Sequence, residues 1–364
     1  MSNCQSIISN VRQGGRVNRA QALELACTAT VHDLGQAAYE RRTRLYGQKA
    51  FFVYNQHLNF TNVCANACRF CAFSKRPGQS GAYTLKIDEA AGAVGARADE
   101  PVDEIHIVGG LNPDLDYDYY LRLLEAVKKA RPQARVKAFT AVEIAFLADK
   151  YGISYKKILS DFTDSGLDAL PGGGAEVFSP QLRQRLCPEK VSGDRWLKIH
   201  ETAHGLGIPT NCTLLFGHIE TWEDRIDHLL ALRDLQDRTG GFLCFIPLPY
   251  QPGHNELGAA GPDGIDMIKM TAMARIVLDN IPHIKAYWAF SGIKAAQVCL
   301  WYGADDFDGT IVEEKIGHAA GADSPRGLTV DQLKDSIISA GFEPVQRDSL
   351  FKAYPGSVKA GSKA

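Results

Sequence analysis

The sequence predicts an α/β fold, a (β/α)8 barrel of TIM type with an N-terminal helical extension. From residue 51 onward, eight short β-prone or apolar runs alternate with segments of helical period. The alternation continues for roughly 260 residues, which fits a closed barrel better than an open doubly wound sheet. No internal repeat and no linker rich in Pro, Gly and Ser interrupts it.

Residues 1–50 read as helical. Asn18 and Gln21 form a capping-box pattern ahead of a helix at 20–28, and a second amphipathic helix at 32–46 stops at Gly47. The eight strands are expected at 53–59, 104–108, 135–140, 169–170, 210–216, 242–247, 284–290 and 306–311. Helices are expected between them at 117–130, 154–165, 194–206, 222–236 and 265–280. The first of these shows the docking logic: Tyr120, Leu123, Leu124 and Val127 make an apolar stripe, while Arg122, Glu125 and Lys128 face outward. Thr329 and Gln332 cap a last helix at 330–340, which Gly341 ends. The chain thus divides into an extension at 1–50, a barrel at 51–350 and a flexible tail at 351–364.

Composition narrows the function. With 40 Lys plus Arg against 42 Asp plus Glu, the net charge of −2 leaves no basic footprint for nucleic acid or anionic lipid. A 45% hydrophobic content argues against global disorder. No apolar run is long enough to span a membrane, and Met1-Ser2-Asn3-Cys4-Gln5 lacks the pattern of an export signal. The expectation is a soluble, cytoplasmic protein with no nucleic-acid or membrane partner.

Cysteine placement points to chemistry. Six of the nine cysteines are scattered, but Cys64, Cys68 and Cys71 fall within eight residues, directly after the first expected strand. That C-x3-C-x2-C spacing lets three thiolates converge on one inorganic centre. Iron–sulfur clusters are commonly held by four cysteines, so a [4Fe–4S] cluster on these three would leave one iron open to a chelating molecule. A structural zinc site is the alternative, but zinc takes four ligands, often as two separated pairs, and no second pair is evident. Packed free cysteines explain the scattered six and not the clustered three.

The segment NVCANACRFCAFS resembles the cluster-binding loop of the radical S-adenosylmethionine (SAM) superfamily. The resemblance implies a [4Fe–4S] cluster whose open iron takes the amino and carboxylate groups of SAM, which is consumed as cosubstrate. It implies further cofactor contacts at this chain's own positions. Phe70 stands at the superfamily's aromatic position beside the third cysteine, and Gly109 and Gly110 stand where the SAM amino group is met. Glu176, after the LPGGGA run, and Arg195 are candidates for the ribose and the methionine carboxylate, the Arg fork suiting a carboxylate. Phe216 and Gly217 belong to a segment resembling the adenine-contacting one.

Taken with IVGGLNPDL, KAFTAVEI, ALPGGGAE, GHIET, LQDRTGGFLCFIPL, NIPHIKAYW and GADDFDGTIVEEKI, the chain resembles the aminofutalosine synthase family from about residue 50 to 350. That family acts in the futalosine route to menaquinone. The implied reaction adds the 5′-deoxyadenosyl radical to 3-[(1-carboxyvinyl)oxy]benzoate, with rearrangement and decarboxylation, giving 6-amino-6-deoxyfutalosine. An electron donor such as flavodoxin or ferredoxin is implied. Dehypoxanthine futalosine cyclase shares the GGLNP and LPGGGAE segments, but the HIKAYW and GHIET forms favour the synthase. A non-catalytic iron–sulfur protein would not need an incompletely ligated cluster inside a large barrel.

A dicarboxylate with an aromatic ring needs polar or cationic donors and an apolar wall. His57 and Asn59, sharing one face of the first strand, are the catalytic candidates. Tyr250, Gln251, Trp288 and Lys294, near later strand ends, are the candidates for substrate binding. The N-terminal helices and the segment 253–264 are the two candidates for covering the barrel mouth, an ordinary loop being the other reading.

Overall fold

The computed structural model describes residues 3–97, 99–313 and 315–353. Its strands, in chain order, are β1 (Lys49–Val53), β2 (Asn55–Leu58), β3 (Glu104–Ile107), β4 (Arg135–Ala138), β5 (Thr210–Phe216), β6 (Phe242–Pro249), β7 (His283–Ile284), β8 (Asp306–Gly309) and β9 (Glu343–Gln346). All strand pairs are parallel, in three sheets ordered β2-β3-β4, β5-β6-β7 and β8-β1-β9. Single parallel bridges join them into a ring: Lys137 with Ala169, Leu170 with Thr210, Lys285 with Asp306, and Gln56 with Val312. The expected (β/α)8 barrel is therefore present, its fourth strand reduced to Ala169 and Leu170.

The first strand departs from expectation. It begins at Lys49 and breaks at Tyr54, so β1 pairs with β8 and β9 while β2 pairs with β3. β9 was not expected; its four residues, one of them Pro344, carry no alternating pattern. The seventh strand is the largest correction. In place of a strand to residue 290, β7 ends at Ile284, and Trp288–Ser291 is a short helix. Trp288 therefore does not stand near the end of a strand, the position that made it a candidate for substrate binding. Trp288 is fully buried behind the barrel wall among Phe307, Ile311 and Leu300, and its indole N–H donates to the Gly309 carbonyl at 2.9 Å.

Helices coat the outside because each buries one stripe. In Tyr117–Ala130 the buried residues are Tyr119, Tyr120, Leu123, Leu124 and Val127. Three helices precede the barrel: Asn3–Arg12, Arg19–Thr28 and Val31–Tyr46. The first lies within the stretch read as helical, where no bounds were given for it. The Asn18 capping box is formed as expected, and Gly47 terminates the third helix at φ +60°. These helices share a core with the barrel helices rather than forming one of their own. Arg42, fully buried on the third, donates to the carbonyls of Ala304, Gly47 and Lys49. Those carbonyls lie at the starts of β1 and β8, so the extension covers the end of the barrel opposite the carboxyl ends of its strands.

That end is sealed by the chain's own return. The Phe351 ring stacks on His283 at 4.0 Å and lies 3.8 Å from the Arg347 guanidinium, and Arg347 bridges Ala353. Residues 351–353 are thus packed where a flexible tail was expected to begin; 354–364 lie outside the described residues. Among the described residues, no helix is long and apolar enough to cross a membrane.

Trp288→Phe removes the indole N–H and leaves the buried Gly309 carbonyl without its donor. Such a loss costs about 1–3 kcal/mol. The expected result is a lower urea midpoint with an unchanged m-value.

Candidate active site

The cysteine loop follows β2 and is held mainly by backbone hydrogen bonds. Cys64 N–H donates to Lys75 O at 3.0 Å, Ala65 N–H to Leu111 O at 2.9 Å, and Arg69 N–H to Leu186 O at 2.9 Å. Gly110 N–H donates to Thr61 O at 2.9 Å. A Cβ on Gly110 would stand 2.1 Å from the Val63 carbonyl oxygen, so only glycine lets the turn after β3 close on the loop. Cys64, Cys68 and Cys71 are all half-buried and line one cavity.

Hydrogen bonding to the buried Cys187, together with burial, raises the Cys68 thiol; burial raises that of Cys64. Among the described residues, no three His, Cys, Asp or Glu side chains gather around the position of a single ion. A cubane distributes its thiolates over separate irons, and three thiols facing one cavity suit it. The three cysteines therefore fit the group their spacing implies.

The cavity encloses about 330 Å³ along the barrel axis, at the carboxyl ends of the strands. Leu215, Ile246, Leu248, Val142 and Phe70 give it apolar walls. Facing them, β2, β3 and β4 present His57, His106 and Lys137 in one rung of the parallel register, and Lys285 and Asp308 stand after β7 and on β8. The segment 253–264 packs at this end: Glu256 N–H donates to Arg69 O at 2.8 Å, and Gly253 lies against Ala320.

Buried charges in the site are matched. Lys137 Nζ meets Glu104 at 2.6 Å, Lys285 Nζ meets Asp308 at 2.6 Å, and Arg347 meets Asp306 at 2.5 Å. Burial alone would raise the Glu104 carboxyl, but Lys137 and His106 hold it well below its ordinary range. Nearer the cysteines, Lys190 Nζ lies 2.5 Å from Glu176 and 5.4 Å from the Phe70 ring centre. Burial opposes its charge, yet Cys68 and Glu176 raise its pKa. Glu176 has φ +50° and Asp308 φ +65°, two strained backbone positions on the cavity wall.

Glu143 differs from these acids. It is buried in the cavity wall and accepts from Gly109 N–H at 3.1 Å and Thr140 N–H at 2.6 Å. Burial pushes its carboxyl up to about 7 against those hydrogen bonds.

The structure brings together Cys64, Cys68, Cys71, His57, Phe70, Gly109, Gly110, Glu176, Tyr250 and Gln251, all of which line the cavity. It does not bring Arg195 there. Arg195 lies off the inward stripe of helix Gly193–Gly205 and pairs with Asp149 at 2.7 Å and Tyr155 at 2.8 Å. The buried cation on this side of the cavity is Lys190. Asn59 is buried, donates to Val108 O at 3.1 Å and is not among the lining residues. Phe216 packs under Arg225, and Gly217 is pressed on Pro262, leaving Leu215 to line the wall. Trp288 supports the wall from behind, and Lys294 is exposed on an outer helix.

The sequence reading passed over His106, Lys137, Glu143 and Lys190. For His106 a signal exists: Glu104-Ile105-His106-Ile107 alternates strictly, and in a strand covered by helices outside, its polar half must face inward. For Lys190 there is none, since only the fold brings the residue after Glu189 against Phe70.

The chain matches the Radical SAM superfamily over residues 58–232 and the CofH/MqnC C-terminal region over 239–358. It is 43% identical to the aminodeoxyfutalosine synthase of Thermus thermophilus, covering 95% of this chain and 94% of that one. It is 37% identical to 5-amino-6-(D-ribitylamino)uracil–L-tyrosine 4-hydroxyphenyl transferase of Methanopyrus kandleri, over 94% and 95% of the two chains. Identity to the cyclic dehypoxanthine futalosine synthase of Streptomyces coelicolor is 36%, over 96% and 88%. Methylornithine synthase shares the fold, with a TM-score of 0.74 at 16% identity over 93% of this chain and 97% of that one.

The Glu143 carboxyl gives a pH dependence of defined sign. A carboxyl raised in the folded state stabilises fully below its unfolded value, and that stability is lost as pH rises through about 7. Relative to Glu143→Gln, the cluster-free wild-type chain is expected to lose on the order of 3 kcal/mol at most between pH 5 and 8. Urea midpoints of both proteins across that range measure the difference.

Proposed function

We infer from its membership of the aminodeoxyfutalosine synthase family, within the radical SAM superfamily, that this chain makes 6-amino-6-deoxyfutalosine for menaquinone synthesis. Its substrates are SAM and 3-[(1-carboxyvinyl)oxy]benzoate, and carbon dioxide is lost. One observation carries the reading. A single cavity sets the three thiols of the 64–71 loop at its mouth and, deeper in the barrel, an apolar wall opposite a basic arc.

Cys64, Cys68 and Cys71 would hold a [4Fe–4S] cluster, and Gly109, Gly110, Glu176, Lys190 and Phe70 would surround SAM. When bound, the cluster supplies the electron that splits SAM into methionine and the 5′-deoxyadenosyl radical. The protein's own part is to orient and to exclude. Lys190, raised and buried, offers a fixed cation suited to the methionine carboxylate. Leu215, Ile246 and Leu248 flank the aromatic ring, and the segment 253–264, tied to the cysteine loop at Arg69, limits the entry of water. Tyr250 and Gln251 help set the mouth: Tyr250 donates to Asn255 at 2.6 Å and Gln251 to Phe290 O at 3.0 Å. A reductant of flavodoxin or ferredoxin type would serve the cluster, and a cytoplasmic setting suits nine reduced thiols.

The test is product identity. Reconstituted protein incubated without oxygen with SAM, the enolpyruvyl benzoate and dithionite is expected to yield a nucleoside carrying the substrate carbons, read by mass. Cys68→Ala is expected to give none. Free 5′-deoxyadenosine as the accumulating product, with no adduct, would overturn the synthase reading in favour of hydrogen abstraction.

A further inference from the structure

We propose that the stacked His57–His106 pair is the carboxylate-binding site for the aromatic acid, and that it takes up a proton from solvent when the acid binds. The proposal rests on the function above and adds the residues that select its substrate.

The two rings are adjacent across β2 and β3 in register, with centroids 4.7 Å apart and planes at 14°. Both line the cavity, opposite the apolar wall that suits a benzene ring. Most cations around the pair are already committed. Around the pair, Lys137 on β4 is held by Glu104 on β3, and Lys285 after β7 is held by Asp308 on β8, each at 2.6 Å. Arg347 is held by Asp306 at 2.5 Å. Three buried cations thus face three buried carboxylates. Breaking any of these pairs to free a cation would strand a carboxylate in the barrel.

An entering carboxylate therefore needs a donor that can acquire charge without costing the protein a partner. His57 meets this condition. Its side chain has no hydrogen-bond or ion-pair partner among the described residues, and it faces His106, Glu104, Lys137 and Lys285. His106 Nδ1 lies 3.8 Å from Glu104, so its other nitrogen faces no acid in that contact. Burial first, and His106 next, lower the His57 pKa, so the ring is neutral at pH 7 before an anion arrives. A carboxylate placed on the pair reverses that balance and draws one proton onto it.

Calorimetric titration tests this without turnover. The cluster-loaded enzyme, free of SAM and reductant, is titrated with 3-[(1-carboxyvinyl)oxy]benzoate and, separately, with isophthalate, in buffers of differing ionisation enthalpy at pH 7.5. We expect uptake of about one proton per ligand and affinity falling close to tenfold per pH unit above neutrality. His57→Gln and His106→Gln are each expected to weaken binding at least tenfold and abolish the uptake, with unchanged circular dichroism. If either variant fails to fold, the wild-type proton count still decides. Binding without proton uptake, or glutamine variants of unaltered affinity, overturns the proposal. Uptake with isophthalate but no nucleoside adduct in the product assay would instead overturn the synthase reading and leave the carboxylate site standing. Adduct formation without proton uptake on binding would do the reverse.

Discussion

Charge buried along the barrel axis must be neutralised inside the barrel, and that requirement orders much of this structure. Glu104 and Lys137 stand on adjacent strands at 2.6 Å, each less than 5% exposed. Removing either partner would leave an uncompensated ion at a cost of about 3–5 kcal/mol, a large share of any domain's net stability. Asp306 repeats the arrangement with Arg347, which arrives from the chain's last strand. β9 and the turn behind it are therefore part of the barrel: without Arg347, the cation left to Asp306 would be Lys285, at 3.6 Å, beside the Asp308 N–H at 3.0 Å. Ser349 adds a hydrogen bond to Glu104 from the same return segment. The polar floor and the unexpected ninth strand are one solution to one electrostatic problem.

At the mouth the constraint is steric. The Gly109–Gly110 turn lies between the Val63 carbonyl on one side and the Glu143 carboxylate on the other. Thr61 O accepts from Gly110, and Leu111 O accepts from Ala65, so the turn and the cysteine loop are bonded to each other twice. A displacement of helix Ala141–Tyr151, on which Glu143 sits, would be passed to the loop through these contacts. A carboxyl poised near neutrality at this junction is a different element from the ionised acids of the floor. Its oxygens are engaged by backbone N–H groups, and no cation lies among its hydrogen-bond partners.

Fold class and cysteine trio were legible in the sequence because both rest on spacing. Alternation and helical period survive without coordinates, and so do three cysteines in eight residues. The misplacements have physical causes. Trp288 was expected near the end of a strand reaching 290, and Arg195 was a candidate through the resemblance and the fit of its fork to a carboxylate. The actual turn after Ile284 and the inward stripe Trp196, Ile199, His200 and Ala203 send both side chains elsewhere. His106 and Lys137 were legible in principle, since a charged residue in an inward position of a barrel strand has nowhere else to go. They were obscured because inward and outward are fixed only once register is known, and register is set by long-range pairing. Lys190 depends wholly on tertiary contact.

Floor and mouth together explain how one barrel can hold a polar and a reactive region apart. The floor is assembled from strands, where pairing fixes side chains in register, and its charges are closed among themselves. The mouth is assembled from loops, and those loops hold one another: Arg69 to Leu186 and to Glu256 through backbone bonds, Gly253 against Ala320. Because Arg69 sits between Cys68 and Cys71, the segment 253–264 and the thiols are anchored on the same short stretch of chain.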